Sequence, residues 1–194
     1  EFDDDLLGVK NDKLYFTLMY PGENSEPCIY YSKGLKGGYE RLISPSSISK
    51  KDNIFFTSLS PSIDGRFLAY QYNRNGSDWE ELKIVQLKNR HYFKETLKHI
   101  ITSKIHWFGQ GFFYKKFKYT SELGKRDFSS IFYHKLGAEQ SDDQLIFDTN
   151  SEQEELNIYG TPKQNLFIIK KSNKFEEKFS YYYYNPKESH FDFM

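Results

Sequence analysis

Residues able to do acid, base or nucleophilic chemistry occur throughout this 194-residue chain, but their spacing does not organise them. A serine nucleophile of the α/β-hydrolase kind needs Gly-x-Ser-x-Gly, a strained strand-to-helix elbow that exposes Oγ, and no such segment occurs. Gly76-Ser77-Asp78 is the nearest approach, and Trp79 stands where a helix should start with a small residue. A Ser-His-Asp triad scattered along a chain is recognised only by geometry, so spacing says nothing for it. The histidines are His91, His99, His106, His134 and His190, with neither His-x-x-x-His nor His-Glu-x-x-His among them. Cys28 is the single cysteine, which excludes an internal disulfide and argues against structural zinc. Asp3-Asp4-Asp5 and Asp142-Asp143 lack the alternation and following glycine of a calcium loop, and read as solvated charge. No glycine-rich phosphate loop follows a strand. The expectation is of no catalytic residue, no metal ligand and no cofactor within this chain. Asn75-Gly76-Ser77 is formally a glycosylation sequon.

Composition narrows the function classes further. Lys and Arg number 27, matched by 27 Asp and Glu, so no summed field would draw the chain to nucleic acid or an anionic membrane. Lys115-Lys116-Phe117-Lys118 mixes base with aromatic, as single-strand binders do, but on a strand it alternates solvated and packed faces. Neither a nucleic-acid nor a membrane partner is expected. No apolar run approaches the ~18 residues of a spanning helix, and the chain reads as soluble, with the compartment, cytoplasm or periplasm, left open by the sequence. Tyr181-Tyr182-Tyr183-Tyr184 reads as a strand packed on both faces, with a stacking platform for a ligand as the alternative.

The elements that would position these residues repeat. Long apolar strands are anchored by Leu14, Phe67, Phe112 and Leu166, at spacings of 53, 45 and 54 residues. The strands that follow are anchored by Ile29, Ile84, Phe132 and Tyr182, at spacings of 55, 48 and 50. A period of that size is the mark of a propeller blade, a four-stranded sheet that buries its faces only against neighbours. The 18 phenylalanines and 16 tyrosines suit half-buried pleated sheet better than helix. The fold class is all-β, with about four blades at approximately 11–45, 54–98, 102–149 and 154–194.

Strands are expected at Lys13–Tyr20, Cys28–Tyr31 and Tyr39–Ile43 in the first blade, with a first half-strand missing in front and a loop at Ser44–Asn53 behind. The second reads Ile54–Ser60, Arg66–Asn73, Glu81–Leu87 and an edge near Tyr92–Thr96, with Asp64-Gly65 supplying the positive φ of a tight turn. The third reads Lys104–Phe108, Phe112–Phe117, Ser129–Leu136 and Asp143–Phe147. The fourth reads Leu156–Tyr159, Leu166–Lys171, Phe179–Tyr184 and Phe191–Met194, and Glu152–Leu156 is the one candidate turn of helix. On the innermost strand of the third blade, Ile105 with Trp107 and Lys104 with His106 point to opposite faces. One pair could line a channel, Ile105 and Trp107 being the candidates, or both could pack between blades.

Asn75-Gly76-Ser77-Asp78-Trp79, followed by Leu82 to Leu87, resembles the second-to-third strand connection in the propeller domain of the prolyl oligopeptidase family. The likeness continues through Trp107, Gly111-Phe112-Phe113-Tyr114, Ile131-Phe132-Tyr133-His134-Lys135-Leu136-Gly137 and Gln140-Ser141-Asp142-Asp143, roughly residues 55 to 148. Gly76, Ser77, Asp78 and Trp79 are its signature. The resemblance implies part of a seven-bladed propeller capping an α/β-hydrolase domain, whose Ser, Asp and His triad cleaves short peptides after proline. That domain would be the partner within one polypeptide, and every triad position would lie outside this sequence. The propeller would limit access of peptides to the triad. The chain departs from the pattern in the fourth blade, where Pro162-Lys163-Gln164-Asn165 replaces an Asp-Gly turn, and in a one-residue expansion at Ser60–Gly65. Oligopeptidase B, which cleaves after Arg or Lys, shares the architecture, and a stand-alone interaction module is the reading from another class. Alone, four blades would leave open faces and are expected to self-associate.

Overall fold

The computed structural model describes residues 9–11, 14–23, 25–34, 37–100, 104–119, 126–149, 151, 153–161 and 166–194. The chain divides into two compact units, Glu1–Lys98 and His99–Met194. Both are built from antiparallel strands, so the all-β expectation holds.

In the first unit, β1 (Val9–Asn11), β2 (Leu14–Met19), β3 (Cys28–Lys33) and β4 (Glu40–Ile43) form one sheet in chain order. β1 corrects the expectation of a missing half-strand: Val9 registers with Phe16 and Asn11 with Leu14. Three residues are too few to display an alternation, and pairing with β2 is what defines the strand. A helical turn, α1 (Pro45–Ile48), occupies the expected loop, with proline fixing φ at its start and Ser49 N–H closing on the Pro45 carbonyl at 3.1 Å.

The second sheet of this unit is β5 (Ile54–Pro61), β6 (Phe67–Arg74), β7 (Glu80–Gln86) and β8 (His91–Tyr92), again in order. Gly65 has φ +67° in the β5–β6 turn, as Asp64-Gly65 led us to expect. The edge strand is displaced. β8 ends at Tyr92 and β9 (Leu97–Ile100) begins after a break, whereas a single strand at Tyr92–Thr96 was expected. Arg90, just before β8, and His99, within β9, both have positive φ. One core joins the two sheets: Phe16, Ile29 and Ile43 meet Phe56, Leu68, Tyr70, Tyr72 and Val85.

The second unit repeats the plan with β10 (His106–Phe108), β11 (Gly111–Tyr119), β12 (Arg126–Lys135) and β13 (Gln144–Phe147), then β14 (Glu154–Thr161), β15 (Leu166–Asn173), β16 (Phe179–Asn185) and β17 (His190–Phe193). Its core is largely aromatic, Phe113, Phe167, Tyr184 and Phe191 closing around Ile131, Leu156 and Ile169. Each such side chain contributes roughly 1.5–3 kcal/mol through burial. The turn of helix expected at Glu152–Leu156 is absent, because residues from Glu154 onward enter β14 and pair fully with β15, from Glu154–Asn173 to Thr161–Leu166.

The tyrosine run on β16 does not pack on both faces. Tyr182 and Tyr184 turn into the core, while Tyr181 and Tyr183 are 43% and 39% exposed, so the strand alternates. Asp3-Asp4-Asp5 and the Pro162–Asn165 turn lie outside the described residues.

Candidate functional site

The signature segment forms the β6–β7 turn. Asn75 and Gly76 have φ +53° and +70°, and Ser77 N–H reaches the Arg74 carbonyl at 2.9 Å, a tight turn with two left-handed residues at the start of the longer β6–β7 connection, which closes where Asn73 pairs with Glu80. Ser77 Oγ accepts the Trp79 N–H at 3.1 Å, so this serine is engaged in local turn structure. Asp78 is exposed and Trp79 half-buried. Asn75 latches the turn to the start of β5, where its Oδ1 accepts the Asn53 N–H at 2.9 Å and its amide donates to Asp52 at 3.2 Å. A glycan on Asn75 would have to break that latch.

Charge is neutralised just beneath this turn. Arg74 donates to Asp52 at 2.8 Å and to both oxygens of Glu81 at 2.9 and 3.1 Å, while Tyr72 OH donates to Glu81 at 2.6 Å. Burial opposes ionisation of Glu81, but the bonds from Arg74 and Tyr72 outweigh it and hold its carboxyl below the usual range. Burial, and then donation to Glu81, push the Tyr72 phenol well above its ordinary value.

A second network occupies the third sheet. Tyr114 OH on β11 donates to Asp143 Oδ2 at 2.5 Å, and His134 Nδ1 on β12 lies 2.7 Å from Asp143 Oδ1. Gln140 donates to the same phenol at 3.3 Å. The side chains of His134 and Asp143 are sealed from solvent, which corrects the reading of solvated charge for Asp143, while Asp142 is exposed. A short 3-10 turn at Gln140–Asp142 carries the chain into position and aims Asp143 inward. With the proton on Nδ1, His134 Nε2 is an acceptor, and among the described residues it meets no hydrogen-bond partner. A His-Asp pair resembles two-thirds of a hydrolytic triad, but this ring packs on Phe112 and no peptide can reach it. Burial, then donation to Asp143, raise the Tyr114 phenol strongly. Sequence could have suggested this cluster only through the shared register of Tyr114 and Phe132 and the inward alternation of β12.

Ile105 and Trp107 are buried, at 6% and 8% exposure, and Trp107 meets the edge of Phe112 at 5.3 Å. His106, on the opposite face, lies against Phe167 and bonds the main chain of Ile158 on β14. Cys28 is a buried free thiol whose pKa burial raises.

Glu188, His190 and Asp192 at the β16–β17 hairpin are the described residues whose ligand atoms converge, within 4.8 Å. His190 and Asp192 stand two residues apart on one face of β17, and Glu188 joins them from the turn before it. The group already answers its own charge. Burial opposes protonation of His190, but its bond to Asp192 and the carboxylate charges outweigh that and raise its pKa, and Asp192 also accepts from Asn185 at 2.9 Å.

Compared with known proteins, residues 2–193 match the family described as "Prolyl oligopeptidase, N-terminal beta-propeller domain". A prolyl endopeptidase of Elizabethkingia meningoseptica is 29% identical over 151 residues, covering 75% of this chain and 21% of that protein. A solved structure from a mechanistic analysis of two prolyl endopeptidases superposes with a TM-score of 0.83 at 17% identity, covering 98% of this chain and 30% of the other. Oligopeptidase B from Leishmania major superposes at 0.77 with 10% identity, covering 97% of this chain and 27% of the other. The chain thus spans about a fifth of the curated relative and under a third of the solved chains. With a match that runs essentially end to end, the chain belongs to the prolyl oligopeptidase N-terminal β-propeller family.

Proposed function

We propose that this chain is the gating, non-catalytic portion of a serine peptidase that cleaves short peptides after proline. It would sit against an α/β-hydrolase domain of the same polypeptide and limit which peptides reach the triad there. The observation that carries the reading is the family match over residues 2–193. The chemistry of the chain agrees with it: the signature serine, Ser77, is engaged with Trp79 N–H, and the carboxyl-paired His134 is sealed inside its sheet. The chain would act by exclusion, since a narrow passage keeps folded proteins from a water-shielded site. Blade limits at 11–45, 54–98, 102–149 and 154–194 and a channel-facing role for Ile105 and Trp107 belong to the same proposal.

Fluorophosphonate labelling and hydrolysis of a fluorogenic Gly-Pro substrate test it, comparing the 194-residue chain with a polypeptide that joins it to a hydrolase domain. Labelling and turnover in the joined polypeptide alone are expected. Labelling of the chain by itself would overturn the non-catalytic assignment, and inactivity of both would favour an interaction module. The likeness to oligopeptidase B favours a second reading, cleavage after Arg or Lys, which a matched Arg substrate separates from the first.

In isolation the chain is proposed to self-associate through the outward face of β14–β17, where Tyr159, Leu166, Phe179 and Tyr181 are exposed. Light scattering that shows a monomer at all concentrations would refute this.

A further inference from the structure

Two titratable side chains of the third sheet reach across to the main chain of β14. His106 of β10 bonds the main chain of Ile158 and stands edge-on to Phe167, with ring centroids 6.3 Å apart. Its ring fills a notch that exists because residue 160 is glycine: a Cβ there would come within 2.8 Å of His106 Nδ1 and 2.6 Å of Phe167. Two residues back along β14, Lys115 of β11 donates its ammonium to the Leu156 carbonyl at 3.2 Å, and Lys115 is itself buried. Leu156, Ile158 and Gly160 alternate along one side of β14, so the two titratable side chains seat side by side along one seam.

We propose that His106 is an acid-sensitive latch, in which uptake of one proton by its ring loosens β10 from β14 and opens the seam between the third and fourth sheets. The proposal does not depend on the peptidase reading. A neutral imidazole can donate one N–H to the Ile158 main chain and rest its other edge on aromatic surface. Once protonated, this half-buried ring carries a charge and a second N–H that its neighbours Phe167 and Gly160 do not satisfy. Lys104 is the charged group that acts on the ring, and its like charge further opposes protonation. At the next contact along β14, Glu155 acts on Lys115 and favours its ammonium form. Burial first, then Lys104, hold the His106 pKa below the ordinary value of 6.5, against the bond to Ile158.

The sign follows from linkage. A base whose pKa is lower in the closed seam than in the open one stabilises closure fully above about pH 6.5. That stabilisation is given up as pH falls towards and through the lowered value. Coupling to one proton increases seam opening by up to about tenfold per pH unit within that window.

Amide hydrogen exchange of the 194-residue chain between about pH 5 and 8, corrected for intrinsic rates, tests the latch. Protection of β14 amides is expected to fall with acid in the unmodified chain, while β6 amides keep theirs. In His106→Gln, which bonds the main chain but takes no proton, the β14 profile should flatten. A variant profile that follows the unmodified one, or simultaneous loss in β6 and β14, would overturn the proposal. If His106→Gln fails to fold, an NMR titration of His106 in the unmodified chain decides: a pKa below about 6.5 supports the latch, and one at or above it rules it out.

Discussion

Tyr72 with Glu81 and Tyr114 with Asp143 are two versions of one device, each a buried tyrosine on the second strand of a sheet donating to a carboxyl group. They are completed differently. In the first, Arg74 binds both Glu81 and Asp52 and remains about a third exposed, so its charge is partly hydrated and always present. In the second, His134 takes the place of the arginine with no exposure at all, and its Nε2 meets no partner among the described residues. Partial hydration makes the first network tolerant of losing a member, whereas complete burial makes the second depend on every one. The glycines beside them show the same contrast. Around Gly76 nothing lies within 4 Å of an added Cβ, while one on Gly111 would collide with the His134 carbonyl.

Four substitutions sharpen this comparison. Gly111→Ala should be the most damaging, since backbone must shift to admit a methyl group. A loss of about 3 kcal/mol or more in urea unfolding is expected, and a loss under 1 kcal/mol would show that β11 and β12 can separate freely. Asp143→Ala removes two bonds at once and strands Tyr114 and His134 in the interior, for about 3 kcal/mol. If it cost no more than Arg74→Ala, the distinction between the networks would fail. Arg74→Ala should cost about 1 kcal/mol, a figure reduced for the solvent that already reaches the guanidinium. Gly76→Ala has room for its methyl group and loses only through the left-handed backbone, about 1 kcal/mol or slightly more by the same measurement.

The pH dependence separates the networks again. The Glu81 pKa is lowered in the folded chain, so its contribution is complete above the unfolded value of about 4.3 and disappears as pH falls through the lowered one. Glu81→Gln should flatten the acid limb of a stability profile in that window. An unchanged acid limb would mean that Arg74 holds Glu81 no better than solvent does.

Much of the strand plan was legible because alternation and turn chemistry act locally. The strand expected at Arg66–Asn73 is found at Phe67–Arg74, and Asp64-Gly65 declares the turn before it. β1 and the broken edge at β8 and β9 were illegible, since strands of two to four residues carry too little pattern to stand out from loop. α1 was hidden in a serine-rich stretch that reads as loop, and Glu152–Leu156 looked helical until the pairing of β14 with β15 outweighed its local preference. On β16 the four tyrosines are chemically alike, so nothing in their order could tell which pair turns inward.

Residue order by itself therefore determined the all-β class, the blade-sized period, the absence of a nucleophile elbow and the family likeness, all of which are read from short patterns or from their recurrence along the chain. Tertiary structure alone decided that Asp143 is buried against Tyr114 and His134, that Asp52 is held by a residue 22 positions away, and that His106 is seated over Gly160. Those relations join strands across turns and sheets, and their strength comes from burial, a property no single stretch of chain possesses before the sheets close upon it.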